Sequence, residues 1–318
     1  SLHDKYVKEE TEKRSTRETD CYDYPNCYCG DDCDINPSCY CPFRWVIKVS
    51  GLAAGKGVVL PKTFFEAYQI AKEMIVDKNF GDAGNTIVIE DTLYGEEVSV
   101  FAFCNGKNTV LMPQAQDNKR VWHDDYGLNT GGMGAYAPVS VLTDEELEEL
   151  RGYMDIVVRE LEYVGVLYAG VMKTVDGIFL LEFNCRFGDP EAQVVLNLMD
   201  SDLGIIVDKC VNGQDFSVSW KHGYATNVVL SHVLYPEEKL EKAVPIRFRT
   251  SRGENGEGIH SDIKVYWASI CIGETPGIFY TKGGRVASVV AYGETLYESV
   301  VQVYNNIYKI LTCICFST

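Results

Sequence analysis

The densest chemistry in the 318-residue chain lies in LLEFNCRFGDPEAQ, Leu180 to Gln193, which puts an acid, an amide, an arginine, an Asp-Pro pair and a second acid side by side. On a strand, residues two apart share a face, so Glu182 and Asn184 project together. A carboxylate beside an amide suits a hard cation such as magnesium, shared with nucleotide phosphates, and suits zinc badly. Arg186 next to such a pair matches phosphoryl oxygens, which argues against the bland alternative of a solvated strand end. Asp189 and Pro190 read as N-cap and first position of the helix PEAQVVLNLM, with Glu191 in its first turn, where the dipole favours acids.

A second candidate is GLAAGKGVVL. It offers Gly-x3-Gly-Lys, whereas a P-loop needs four residues between its glycines, then Lys-Ser or Lys-Thr, then a helix. Here Gly57 follows Lys56 and a strand follows Gly57, so the loop tips a hairpin. Two readings stand: a plain turn, or a glycine-rich flap over a triphosphate with Lys48 and Lys56 neutralising charge.

These groups need elements to hold them. WVIKVSG, VVLP and TIVIE read as strands, and KTFFEAYQIAKEMI as a helix capped by Thr63 and Glu66, with Ala67, Ala71, Met74 and Ile75 on one face. EVSVFAFCNGKNTVLMPQA carries a hairpin signal at Asn105-Gly106. A helix from about Asp144 to Glu162, capped by Thr143 and Glu146, presents Leu147, Leu150, Met154, Val157 and Leu161; the strands GVLYAGVM and IFLLEFN follow, joined at Asp176-Gly177. Beyond residue 211, short strands and the helix TLYESVVQVYNNIYKI suggest a small separate α+β unit, with TSRGENGEGIHSD as a polar loop.

Composition narrows the class. Apolar residues make up 46% and charged residues 24%, an ordinary globular balance, while a formal charge of −17 argues against a nucleic-acid partner. No apolar run suits a membrane helix or signal peptide, so a cytoplasmic protein without membrane or nucleic-acid partners is expected. Residues 1–44 form a charged, then Cys-rich, irregular segment. Within it CYDYPNCYCG and CDINPSCYCP repeat Cys-x5-Cys-x-Cys, leaving metal, disulfides or irregular chain open between Cys21 and Cys41.

VIKVSGLAAGKGVVL, TIVIEDTLYGEEVSVFAF, PQAQDNKR, GLNTGGMGAYAP, GVLYAG and LEFNCRFGDPEAQ together resemble the phosphoribosylamine–glycine ligases (glycinamide ribonucleotide synthetases), ATP-grasp enzymes of purine synthesis. The resemblance is dense from about Val46 to Leu203 and thins towards Ile310. It implies an α+β, two-lobe ATP-grasp fold over 45–211 with a hinge near 90–94. A C-terminal α+β domain, barrel-sandwich-like, would occupy 212–318, and the family's N-terminal nucleotide-fold domain is expected to be absent.

For the site, the resemblance implies ATP contacts from Lys48, Gly51, Gly55, Lys56, Gly57, Glu90, Asp91, Leu93 and Glu97, and Mg2+ or Mn2+ on Glu182 and Asn184. Asp117, Lys119, Arg120, Asn129, Gly131, Gly132, Met133 and Gly134 would face phosphoribosylamine. Arg186, Asp189 and Pro190 would shape the glycine end, with Arg186, Lys56 and Asp189 catalytic. The implied reaction joins glycine to 5-phosphoribosylamine through glycyl phosphate, in a chain that could belong to a longer multifunctional purine-synthesis polypeptide. Asn118 stands where the family has histidine and Leu128 where it has proline. An ATP and magnesium-binding module without ligase turnover is therefore the alternative, and a Cys-rich metal-binding regulator ranks last.

Overall fold

The computed structural model describes residues 45–310 apart from 52, 54–56, 123, 125, 237–242, 247–262 and 274–278. The Cys21–Cys41 repeat, the flap residues Gly55 and Lys56, and the loop TSRGENGEGIHSD therefore lie outside the described residues. The chain divides into two units, one up to Leu93 and one from Tyr94 onward.

In the first unit, β1 (Trp45–Val49) pairs antiparallel with β2 (Val58–Val59) on one side and β3 (Ile87–Asp91) on the other. Alternation along WVIKV turns Ile47 inward, where it packs with Ala67 and Met74 of α1 (Phe64–Ile75). The Thr63 hydroxyl caps α1 by accepting the Glu66 N–H at 3.1 Å, but Glu66 reaches back to the Lys62 N–H instead of closing a box with Thr63. Ile75, expected on the buried face, is 40% exposed, since it sits about 100° round the helix from Met74.

The second unit is built on a sheet in the order β11-β10-β4-β5, formed by β4 (Glu96–Asn105), β5 (Thr109–Leu111), β10 (Val164–Thr174) and β11 (Gly177–Asn184). Both expected hairpins form, with Gly106 at φ +85° and Gly177 at φ +127° supplying backbone that other residues rarely adopt. Even-numbered β4 residues, Val98 to Cys104, face α2 (Asp144–Glu160) and its buried Leu150, Met154 and Val158. Thr143 and Glu146 close a full capping box on α2. The helix stops at Glu160, so Leu161 is 71% exposed instead of buried.

The opposite face carries Phe101 and Tyr168 against α3 (Glu191–Leu198) and α4 (Leu203–Val211). After β5 the chain forms β6 (Gln116–Asp117), the separate hairpin β7 (Arg120–Trp122) with β8 (Tyr126–Asn129), and β9 (Gly134–Ala137). The Ser99 and Ala115 backbones exchange hydrogen bonds at 2.8 and 3.0 Å, stitching β4 to the approach of β6.

The second large sheet runs β14-β17-β12-β9-β6, from β12 (Tyr224–Ser231), β14 (Lys264–Trp267) and β17 (Arg285–Gly293). It packs against α5 (Leu296–Ile310) through Val303 and Ile307. Three short strands, β13 (Pro245–Ile246), β15 (Ile270–Ile272) and β16 (Phe279–Thr281), make a further small sheet. β12 pairs with β9 over Ala225↔Ala137 to Val228↔Gly134, so this sheet runs across residue 212, where the short strands and closing helix suggest a separate unit. Strand pairing over such sequence distance leaves no local signal. Among the described residues no helix is long and apolar enough to cross a membrane.

Candidate functional site

Cross-strand register sets the site's first wall. Ser99, Gly170 and Glu182 form one row across β4, β10 and β11, and Phe101, Tyr168 and Asn184 the next, so all six share a face. The β-bulge between Gly170 and Val171 keeps Glu182 in that row. Asn184 Nδ2 donates to Glu182 Oε1 at 2.8 Å, which brings the expected cation pair side by side. Their donor set, a carboxylate and an amide oxygen at an accessible strand end, fits a hard divalent cation.

A partly buried polar cluster lies on the same face. Glu97, neighbouring Met172 in register, pairs with Lys119, whose ammonium also lies 3.8 Å from Asp117 Oδ1. Burial alone would lower the Lys119 ammonium, but Asp117 and Glu97 outweigh it and the net shift is upward. Asp117 is raised by burial, with Lys119 opposing. Glu191, 5% exposed, accepts from Ser99 Oγ at 3.2 Å, and that hydroxyl lies 3.1 Å from Tyr168 OH. Burial first, then the charge of Asp117, pushes the Glu191 carboxyl up to about 7. Burial and the facing Asp117 charge therefore favour the protonated form of Glu191, which is also the first residue of its helix.

The second wall is the NTGG loop. The Thr130 hydroxyl donates to Lys119 O at 2.9 Å and accepts the Gly132 N–H at 3.0 Å, folding the loop back on the cluster. Gly132, at φ +103°, passes so close to Pro190 that a Cβ there would lie 2.3 Å from its Cδ. Arg285 donates to Gly131 O and Asp189 O, both at 2.7 Å, and to Asp189 Oδ2 at 3.1 Å. Met133 and Gly134 are buried behind the loop, on the sheet side.

Several expected residues behave differently. Asp189 does not cap α3: the N-cap position is Pro190, without a side-chain cap, and helix begins at Glu191. The physical reason is competition, because the Asp189 carboxylate is taken by Arg285 and by Gln193 Nε2 at 2.8 Å. Arg186 is exposed and folds back to donate to Phe187 O at 2.9 Å. Arg120 donates to Gly127 O, and Asn129 is exposed on β8.

In the first unit, Lys48 Nζ pairs with Glu90 Oε2 at 2.5 Å, Asp91 is exposed and Leu93 half-buried. Gly51 and Gly57 flank a loop joined to β1 by Val49 N–H donating to Gly57 O. Sequence reasoning missed Ser99, Tyr168, Tyr235 and Arg285. The signals available were a lone serine inside EVSVFAF and an arginine after the Gly283-Gly284 pair.

Comparison with known proteins accords with this architecture. The family described as Phosphoribosylglycinamide synthetase, ATP-grasp (A) domain, matches residues 37–192. A Streptococcus pneumoniae phosphoribosylamine–glycine ligase is 38% identical over 271 residues, 83% of this chain and 62% of that protein. The trifunctional purine biosynthetic protein adenosine-3 of Drosophila melanogaster is 39% identical over 266 residues, 81% of this chain and 19% of that protein.

The crystal structure of a Thermotoga maritima phosphoribosylamine–glycine ligase superposes with TM-score 0.69 and 31% identity, covering 85% of this chain and 66% of that one. The biotin carboxylase domain of a Hydrogenobacter thermophilus 2-oxoglutarate carboxylase shares the fold alone, at TM-score 0.62 and 14% identity over 87% of this chain and 58% of that one. The chain thus spans about 62% of the length of the bacterial curated relatives it matches. Its motifs and these matches agree: residues 37–192 match the ATP-grasp domain of the phosphoribosylglycinamide synthetases, and the fold is that of the ATP-grasp enzymes.

Proposed function

We propose that the chain binds ATP with Mg2+ or Mn2+ and joins glycine to 5-phosphoribosylamine, forming glycinamide ribonucleotide. The observation carrying this reading is the Glu182–Asn184 pair, hydrogen-bonded on the same sheet face as Glu97, Lys119 and Glu191, in a chain that matches this domain. Glu182 and Asn184 would hold the cation, which when bound supplies charge neutralisation to the phosphates.

A carboxylate is a poor acyl donor because oxide would have to leave. A glycine carboxylate oxygen therefore attacks the γ-phosphorus, ADP departs, and the acyl carbon gains phosphate as leaving group. The amine nitrogen of phosphoribosylamine then bonds to that carbon, phosphate leaves carrying the former carboxylate oxygen, and the nitrogen gives up a proton. The protein's share is positioning and charge. Lys48 and Lys56, with Gly51, Gly55 and Gly57, would meet the phosphates. Glu90, Asp91 and Leu93 would flank adenine, and Glu97 would take the ribose hydroxyls. Asp117, Lys119, Arg120, Asn129 and the 131–134 segment would face the amine, and Arg186, Asp189 and Pro190 the glycine end.

The test is ADP release with Mg-ATP, adding glycine and fresh phosphoribosylamine separately and together. Release requiring both substrates is expected, and release indifferent to either would overturn the ligase reading. Because the chain covers only part of its relatives' length, a second reading stands, a nucleotide-binding module without turnover. It predicts only a rise in Tm with Mg-ATP, reflecting a stabilisation of about 2.7 kcal/mol at a hundredfold excess over Kd.

A further inference from the structure

Arg285 opens β17, far in sequence from every motif that marks the substrate end. A register shift between Leu230 and Ser231 sets it opposite Ser231 at the strand's start. Its Nη1 donates to Gly131 O at 2.7 Å, Gly132 O at 3.3 Å and Asp189 O at 2.7 Å, and its Nη2 to Asp189 Oδ2 at 3.1 Å. Tyr235 completes the grip, its hydroxyl accepting the Gly131 N–H at 3.0 Å. The ring lies on Gly284, where a Cβ would fall 2.2 Å from Tyr235 Cδ2. One rigid fork of donors thus joins three carbonyls and a carboxylate from two loops, which a lysine's point charge cannot span.

We propose that Arg285 is a positioning residue that clasps the Gly131–Gly132 and Asp189–Pro190 loops into one preformed wall for the two small substrates. The substrate identity rests on the ligase reading; the clasp rests on these contacts. Its partners belong to the substrate end and none to the groups assigned to nucleotide. Loosening it should therefore cost catalysis without costing ATP binding.

Arg285→Ala, Arg285→Lys and Tyr235→Phe in the full chain test this by amide hydrogen exchange and by kinetics. Arg285→Ala is expected to speed exchange about tenfold or more in both loops while the rest of the second unit keeps its protection. It should lower kcat/KM for glycine and for phosphoribosylamine by roughly 10–100-fold and leave the Mg-ATP thermal shift unchanged. Arg285→Lys should recover only part of this, and Tyr235→Phe, a milder change for the fold, should loosen the Gly131 side alone. Unchanged exchange in either loop, loss of protection throughout, or wild-type kcat/KM despite loosened loops would overturn the clasp. If the wild-type chain shows no glycine-dependent turnover, the ligase reading fails and the exchange data alone decide whether Arg285 joins the loops.

Discussion

Glu191 is the side chain at which burial and function meet most directly. Its carboxyl is raised to about 7, above its unfolded value, so its contribution to stability is fully present below the unfolded pKa and is lost as pH rises through 7. Relative to Glu191→Gln, which keeps an acceptor for Ser99 but carries no charge, the wild type should lose on the order of 2 kcal/mol between pH 5 and pH 8, read by urea unfolding. A parallel pH course for the two proteins would mean the carboxyl is not strained. At the cation pair, Glu182→Gln should raise the magnesium concentration needed for half-maximal turnover by at least the roughly 10–100-fold typical of losing an outer-shell partner, with the fold intact by circular dichroism. The pairing of Glu182 with Asn184 was legible because strand alternation is local. Ser99, Tyr168 and Arg285 were not, since their partners lie 69 to 154 residues away.

At the scale of elements, helix starts written in adjacent residues were readable. Thr143 and Glu146 form the capping box expected of them, and Thr143→Ala should lower stability by about 1 kcal/mol in urea titration. Met154, fully buried beneath β4 and β10, should cost roughly 2–5 kcal/mol on truncation to Ala, the range for large-to-small core changes. An effect under about 0.5 kcal/mol would contradict that packing. Where tertiary contacts competed, local rules failed. Asp189-Pro190-Glu191 has the composition of a cap followed by a first turn, yet Arg285 and Gln193 draw off the carboxylate that would have capped α3. The glycine hairpin at residues 51–57 was readable as a strand–loop–strand because a strand, not a helix, follows it.

For the molecule as a whole, the α+β class and the two-lobe family fold were carried by motif order, whereas the limits of the C-terminal part were not. β12 joins β9 within one sheet, and Arg285 and Tyr235 from that part hold a loop of the ATP-grasp part. Cutting the chain near residue 212 should therefore yield a 45–211 fragment without cooperative unfolding in urea, since it would strip β9 of its β12 partner and uncover Ala135 and Ala137, which share a buried core with Ala225. In the proposed ligation a glycine carboxylate oxygen travels to phosphate. With glycine labelled by 18O at both carboxylate oxygens, Mg-ATP and phosphoribosylamine, the phosphate released should carry one labelled oxygen for each amide formed. Unlabelled phosphate accompanying amide formation, or no phosphate above the rate without glycine, would contradict the account.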